Sequence, residues 1–275
     1  MAITAADVNK LRKYTGAGMM DCKKALTEAD GDFDKAVESI RKKGMAVANK
    51  RADREASEGV TLAKVTEDGK KGALLVLNCE TDFVAKNESF VNLAWSMLDL
   101  GLNNGATSKD ELKEMELDGV PVKDVITEQI GVIGEKLELD YFEVIEAEKV
   151  IAYIHPGNKL ATIVGFNQAG VEEQMAKDVA MQIAAMNPVA IDRDSVPQDV
   201  LDKELEVGKD MARNEGKPEE MLDKIAQGRL GKFLKENTLL EQAFVKDNKM
   251  SIKQYLQSAD KDLTVTEYKR YSLNG

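Results

Sequence analysis

Few residues in this chain have the type and spacing to do covalent chemistry. It contains one histidine, His155, and two cysteines, Cys22 and Cys79. A single histidine excludes most zinc sites and leaves few catalytic triads. There is no Cys-x-x-Cys, no His-Glu-x-x-His, no EF-hand loop and no Gly-x-x-x-x-Gly-Lys-Ser/Thr phosphate loop. Gly16-Ala17-Gly18 starts a dinucleotide-like pattern, but it follows a helical pattern instead of a strand, and Asp21 stands where the third glycine belongs. One nucleophilic constellation is open, a cysteine hydrolase built from Cys79, His155 and Asp82, because such partners need only meet in space. Against it stands the reading of Cys79 as a packed, inert thiol in a strand, which is favoured. Carboxylates are plentiful, yet none stands out as a paired acid and base. The expectation is a protein that is not an enzyme, holds no metal and carries no cofactor.

Composition narrows the partners. Over 275 residues, 38 Lys and Arg against 49 Asp and Glu leave a net charge of −11. That argues against direct nucleic-acid binding, since neutralising phosphates needs a basic surface. A 43% hydrophobic and 32% charged composition fits a folded globular chain. No stretch approaches the roughly 20 apolar residues of a membrane span. The opening Met-Ala-Ile-Thr-Ala-Ala-Asp has neither a signal peptide's apolar run nor a transit peptide's arginines. With so few cysteines, a reducing, cytoplasmic setting is expected.

The elements that would position any site follow from periodicity. Residues up to about 45 read as three short helices. Thr4 caps the first, with Asp7 at its third position and Ile3 and Val8 as a hydrophobic staple. Cys22, Ala25, Leu26 and Ala29 form one face of the second, which Met19 continues and from which Met20 lies off. Phe33, Ala36, Val37 and Ile40 mark the third, with Gly44 as its stop. Residues 50–59 read as a charged linker. Strand, turn, strand and helix then occur twice, about 90 residues apart: Val60–Val65 and Ala73–Asn78 before a helix through Trp95, then Val150–His155 and Leu160–Phe166 before a helix ending near Met186. Leu137–Ile145 reads as a further strand, grouped with the second half. Two related α+β subdomains are expected, each an antiparallel sheet with helices on one face. The expected division is 1–49, 60–136, and 137–187 with 237–275. Residues 188–236 form a helical hairpin in which Leu201, Leu205 and Met211 face Leu222, Ile225 and Phe233.

Two segments carry a specific match. Leu11-Arg12 followed by Thr15-Gly16-Ala17-Gly18-Met19-Met20-Asp21-Cys22-Lys23-Lys24-Ala25-Leu26 resembles the N-terminal signature of the bacterial elongation factor Ts family, and Leu77-Asn78-Cys79-Glu80-Thr81-Asp82-Phe83-Val84-Ala85-Lys86 resembles its second signature. Ile133-Gly134-Glu135 and Tyr153-x-His155-x-Gly157 are similar to further family positions. The resemblance covers nearly the whole chain. Val76 departs from it, standing where the family usually has an acid.

The resemblance implies an α+β fold with a three-helix, UBA-like N-terminal domain, a core of two related subdomains and an inserted coiled-coil hairpin. It implies binding to elongation factor Tu·GDP, release of GDP and exchange for GTP, with the nucleotide-free partner bound best. Arg12, Met19 and Met20 would contact the partner's GTPase domain. Thr81, Asp82, Phe83 and Val84 would form the loop that disturbs its magnesium and phosphate site, with Phe83 as the intruding ring. Ile133 and His155 would line other parts of the interface. A homodimer or heterotetramer through the hairpin stays open, as does a scaffold that binds a GTPase without accelerating exchange.

Overall fold

The computed structural model describes residues 3–274. Three helices open the chain: α1 (Ala5–Thr15), α2 (Met19–Glu28) and α3 (Phe33–Arg51). Thr4 and Asp7 form a reciprocal capping box, so α1 starts where the sequence signals it. Val8, Leu11, Ala17, Cys22, Ala25, Leu26 and Ala36 make one small core, with Ile3 and Phe33 packed against it. This small buried set cannot hold the bundle rigidly by itself; α3 supplies the remedy by running on into the next layer.

That run corrects the expected stop. Gly44 does not end α3; it lies inside the helix and is buried. The linker is correspondingly shorter, because α3 continues to Arg51 and β1 (Glu58–Val65) begins before residue 60. The physical reason lies in α7, introduced below. A Cβ on Gly131 of that helix would stand 2.4 Å from the Gly44 Cα, so the two helices meet backbone to backbone. Glycine serves there as a contact surface and not as punctuation.

β1 pairs antiparallel with β2 (Lys71–Cys79). After β2 come α4 (Asp82–Ala85), α5 (Glu88–Asn104), α6 (Lys109–Glu114), the two-residue strands β3 (Glu116–Leu117) and β4 (Val120–Pro121), and α7 (Val122–Ile133). β5 (Leu137–Glu146) then returns to pair with β2, giving a sheet of order β1-β2-β5. This moves the expected boundary at 136/137: β5 closes the first sheet and does not open the second. The second sheet consists of β6 (Lys149–Ile154), β7 (Leu160–Phe166) and the late strand β10 (Val265–Ser272), in the order β6-β7-β10. The two sheets therefore share one plan, a hairpin whose second strand accepts a third strand after a helical excursion. The strand–turn–strand–helix repeat is real: the first unit gains β5, which the pattern had grouped with the second, and the second is completed by β10, where the sequence reads a last strand over Leu263–Tyr268.

The sheets stack, and β2 shows why its sequence is apolar throughout. Ala73, Leu75 and Leu77 belong to the cluster under α5 and α7, whereas Leu74 and Val76 join Ile145, Val150, Ala161 and Ile163 in a second cluster between the sheets. With period-2 alternation, a strand buried on both faces needs apolar residues at both parities. Val76, the departure from the family pattern, is fully buried in that inter-sheet layer. On the far side α8 (Glu173–Met186) covers the second sheet, packing Ala176, Val179, Ala180 and Ile183 on Val164 and Phe166. The layers run helix, sheet, sheet, helix, an α+β architecture.

The hairpin follows: α9 (Gln198–Asn214) and α10 (Glu219–Asn237). Its neck is tied by Val189 donating to the Asn237 carbonyl and Leu239 to the Ala190 carbonyl, both at 2.9 Å. Met211 does not face the partner helix as expected; it is half exposed, while Gly208 is buried against Ala226, and Ala212 and Leu222 are buried as well. Small residues let the two backbones approach, which leaves no room for a methionine in the seam. The β8–β9 ribbon (Ala243–Phe244 and Asp247–Ser251) and α11 (Ile252–Gln257) then lead to β10. No helix of the described residues is long and apolar enough to cross a membrane.

Candidate partner interface

The second signature segment sits where β2 leaves its sheet. Thr81 caps α4, a helix of only four residues, with its hydroxyl accepting from the Val84 N–H at 3.4 Å. Phe83 is in this turn and is 83% exposed, the most exposed large hydrophobic among the described residues. An aromatic beside a helix start is ordinarily buried, and here the ring lies in solvent. Val84 is half buried and Ala85 buried, so the turn is anchored on one side only. Asp82 pairs with Lys86 at 2.6 Å, and the Lys86 ammonium holds its carboxyl below the usual range.

Two carboxylates hold the turn from outside it. Both oxygens of Glu135 accept from Thr81, one from its N–H at 3.0 Å and one from its hydroxyl at 2.7 Å. Glu80 accepts the Lys136 N–H at 2.7 Å and a two-pronged contact from Arg51 at 2.8 and 2.9 Å. The Lys136 N–H, then the Arg51 guanidinium, keep the Glu80 carboxyl below its ordinary range. The dipeptides 80–81 and 135–136 thus hold each other reciprocally. Gly134, with φ of 80°, ends α7 in the left-handed conformation that turns Glu135 toward Thr81.

The other residues singled out from the sequence lie along the same run of contacts. Ile133 is the last residue of α7, half buried against the core and two positions before Glu135. The α1–α2 turn rests on the adjacent Val132, which is the nearest neighbour a Cβ at Gly16 would meet. From this turn start Met19 and Met20, 53% and 76% exposed, and Arg12 is exposed one turn earlier on α1. Met19 was expected to extend the core face of α2; the burial ends at Cys22, and both methionines project. His155 is exposed in the β6–β7 turn, its Nδ1 within 2.9 Å of the Tyr153 hydroxyl. That turn docks on the first sheet, with Thr61 N–H donating to the Asn158 carbonyl and Lys159 pairing with Glu58 at 2.9 Å. The Lys159 charge also reaches Asp82. The roles of Glu80, Glu135 and Arg51 as braces were missed. No local pattern encodes a contact across 54 residues.

The hydrolase reading loses its nucleophile here. Cys79 is fully buried, its thiol donates to the Thr81 carbonyl at 3.2 Å, and burial with the nearby Glu135 carboxylate pushes it up to about 12. A thiol held protonated at neutral pH is neither nucleophile nor metal ligand. Among the described residues no three His, Cys, Asp or Glu side chains gather to hold a metal ion.

The comparisons with known proteins agree with the signatures. The family profile described as Elongation factor TS matches residues 80–275. An elongation factor Ts of Christiangramia forsetii is 54% identical over 273 residues, spanning 98% of both chains. One from Porphyromonas gingivalis is 54% identical over 275 residues, covering 100% of this chain and 99% of its own. Another, from Bacteroides thetaiotaomicron, is 42% identical, with 99% of each chain covered. The chain belongs to the elongation factor Ts family. It is thereby a bacterial translation elongation factor.

Proposed function

We propose that this protein is the exchange factor for elongation factor Tu: it binds the GDP-bound GTPase, disturbs its magnesium and phosphate site, and stabilises the vacant state until GTP enters. The observation that carries the reading is Phe83, an aromatic ring 83% exposed on a turn that is braced from two sides. Exposing such a ring forgoes about 2 kcal/mol of burial, within the range for a large apolar side chain. A partner surface that takes up the ring returns that free energy. An aromatic wedge also has little side-chain entropy to lose.

A GTPase holds nucleotide phosphates with backbone N–H groups, a lysine and magnesium. A factor that binds best when those groups are displaced lowers nucleotide affinity by the same ratio as nucleotide lowers its own. In this reading Thr81, Asp82, Phe83 and Val84 act at the magnesium side. Arg12, Met19 and Met20 grip the GTPase domain, and Ile133 and His155 complete the contact. Met19 and Met20 suit this, because a flexible thioether adapts to an apolar surface that it does not match rigidly. The N-terminal bundle, the two sheet units and the hairpin are taken as the working parts, with the division between the sheet units after β5.

The test is stopped-flow release of fluorescently labelled GDP from elongation factor Tu, with and without this protein. Acceleration that saturates with protein concentration is expected. Complex formation with no change in the release rate would make the protein a scaffold and overturn the proposal.

A further inference from the structure

The Phe83 turn cannot aim its own ring. A helix of four residues has no intrinsic stability, since nucleation costs more than one turn of hydrogen bonds returns. Its cap bond is long, at 3.4 Å, and of the four only Ala85 is fully buried, with Val84 half buried against the same core. Whatever fixes the direction of Phe83 must therefore come from outside the segment. The Glu135 carboxylate does come from outside, 54 residues along the chain, and it spends both oxygens on Thr81. It is half buried and makes no salt bridge with another described residue, so its contacts to the cap residue are not a by-product of charge pairing. Charge-assisted hydrogen bonds of this kind are about twice as strong as neutral ones. The flanking backbone is held independently, by Glu80 on Lys136 N–H and Arg51. Loss of Glu135 should therefore loosen the cap of α4 without freeing the end of β2.

We infer that Glu135 is a positioning residue for nucleotide exchange, clamping Thr81 so that Phe83 is presented in the one direction from which it can enter the partner. The inference rests on the reading of Phe83 given above. Glu135 acts through the ring and not by touching nucleotide, and its geometric link to Ile133 two residues earlier makes the end of α7 and the Phe83 turn one unit.

The experiment is a double-mutant cycle on GDP release from elongation factor Tu. Glu135→Ala and Glu135→Gln are each made alone and on Phe83→Ala, with thermal melts to check the fold. Glu135→Ala should lower the saturating release rate roughly tenfold, the scale of two lost hydrogen bonds of modest net worth. Glu135→Gln keeps a carbonyl acceptor for Thr81 and should recover most of that rate. On the Phe83→Ala background, Glu135→Ala should cost nothing further, because there is no ring left to aim. An equal loss with and without the ring would show that Glu135 contacts the partner or merely supports the fold, and would overturn the inference. So would a wild-type rate for Glu135→Ala. A wild-type rate for Phe83→Ala would remove the underlying reading instead, and the inference with it. Should Glu135→Ala fail to fold, Thr81→Val removes the hydroxyl arm of the clamp and carries the same two-background comparison.

Discussion

Phe83 and Met20 share a property that separates binding from stability: each is a large apolar side chain left mostly in solvent, at 83% and 76% exposure. Truncating either removes little buried area, so Phe83→Ala and Met20→Ala should each shift unfolding free energy by no more than about 0.5 kcal/mol, as surface changes do. Their effects on the partner should differ. Phe83→Ala should slow saturated GDP release at least about tenfold, because the wedge acts after docking. Met20→Ala should instead weaken docking, with roughly fivefold or more loss in affinity for nucleotide-free elongation factor Tu, measured by titration calorimetry. A fall in melting temperature without a fall in affinity would make Met20 a support of the bundle and not a docking residue. At this scale the sequence was readable through its motifs and not through its chemistry. Phe83 taken alone resembles any apolar residue beside a helix start, and only the whole Thr-Asp-Phe-Val run marks it. The helical spacing that separates Met20 from Met19 misplaces Met19, because α2 begins there and a first-turn residue has no preceding turn to cover it.

Helix α3 links the N-terminal bundle to the core, and the link depends on two glycines. Its second half lies on α7, joined by the Gly44–Gly131 approach and the Arg41–Glu128 pair at 2.7 Å, and its end is tied to the exit of β2 by Arg51 on Glu80. Gly131→Ala would drive a methyl group to 2.4 Å from a backbone carbon that cannot rotate away. The expected cost is about 1–3 kcal/mol of overpacking, partly offset by alanine's better helix propensity. It should appear as a lower denaturation midpoint in urea. Release kinetics should show weaker docking, because the methionines and the Phe83 turn no longer keep a fixed spacing; an unchanged midpoint would mean that the helices part without cost. The glycine was visible in the sequence and its meaning was not. A glycine after an amphipathic run reads as a stop, and what keeps α3 going is a second glycine 87 positions away. The same blindness to distant pairing assigned β5 to the wrong half. Its own alternation is correct, but nothing in a single strand says which sheet will accept it. The hairpin helices, by contrast, depend on local periodicity and a short loop, and they fall where the sequence puts them.

Taken as a whole, the molecule stacks two sheets between helices, and its outer layers are fastened by carboxylates. Asp178 of α8 is the most enclosed of these. Burial pushes its carboxyl up, but hydrogen bonds from Lys246 and Gln174, each at 2.7 Å, and from the Tyr255 hydroxyl at 3.0 Å outweigh burial and hold it below its ordinary value of 3.8. Lys246 and Tyr255 tie α8 to the β8–β9 ribbon and α11, so the second sheet, its covering helix and the segment returning to β10 close as one body. Glu80 and Glu241 are lowered in the same sense by Lys136 N–H and by Arg193. A carboxyl with a lowered folded value binds fewer protons in the native state than in the unfolded chain. Its contribution is complete above the unfolded value and is lost as pH falls through the folded one. Stability should therefore be level from neutrality down to about pH 5 and then fall steeply below about pH 4, where these groups protonate. Asp178→Asn gives up the charge and keeps one acceptor, and it should be less stable at pH 7 by about 1–3 kcal/mol. That deficit should shrink as the wild-type carboxyl is protonated, so urea midpoints of the two proteins converge toward pH 3. A gap that stays constant across the titration would mean that Asp178 stabilises the fold by its shape and not by its charge.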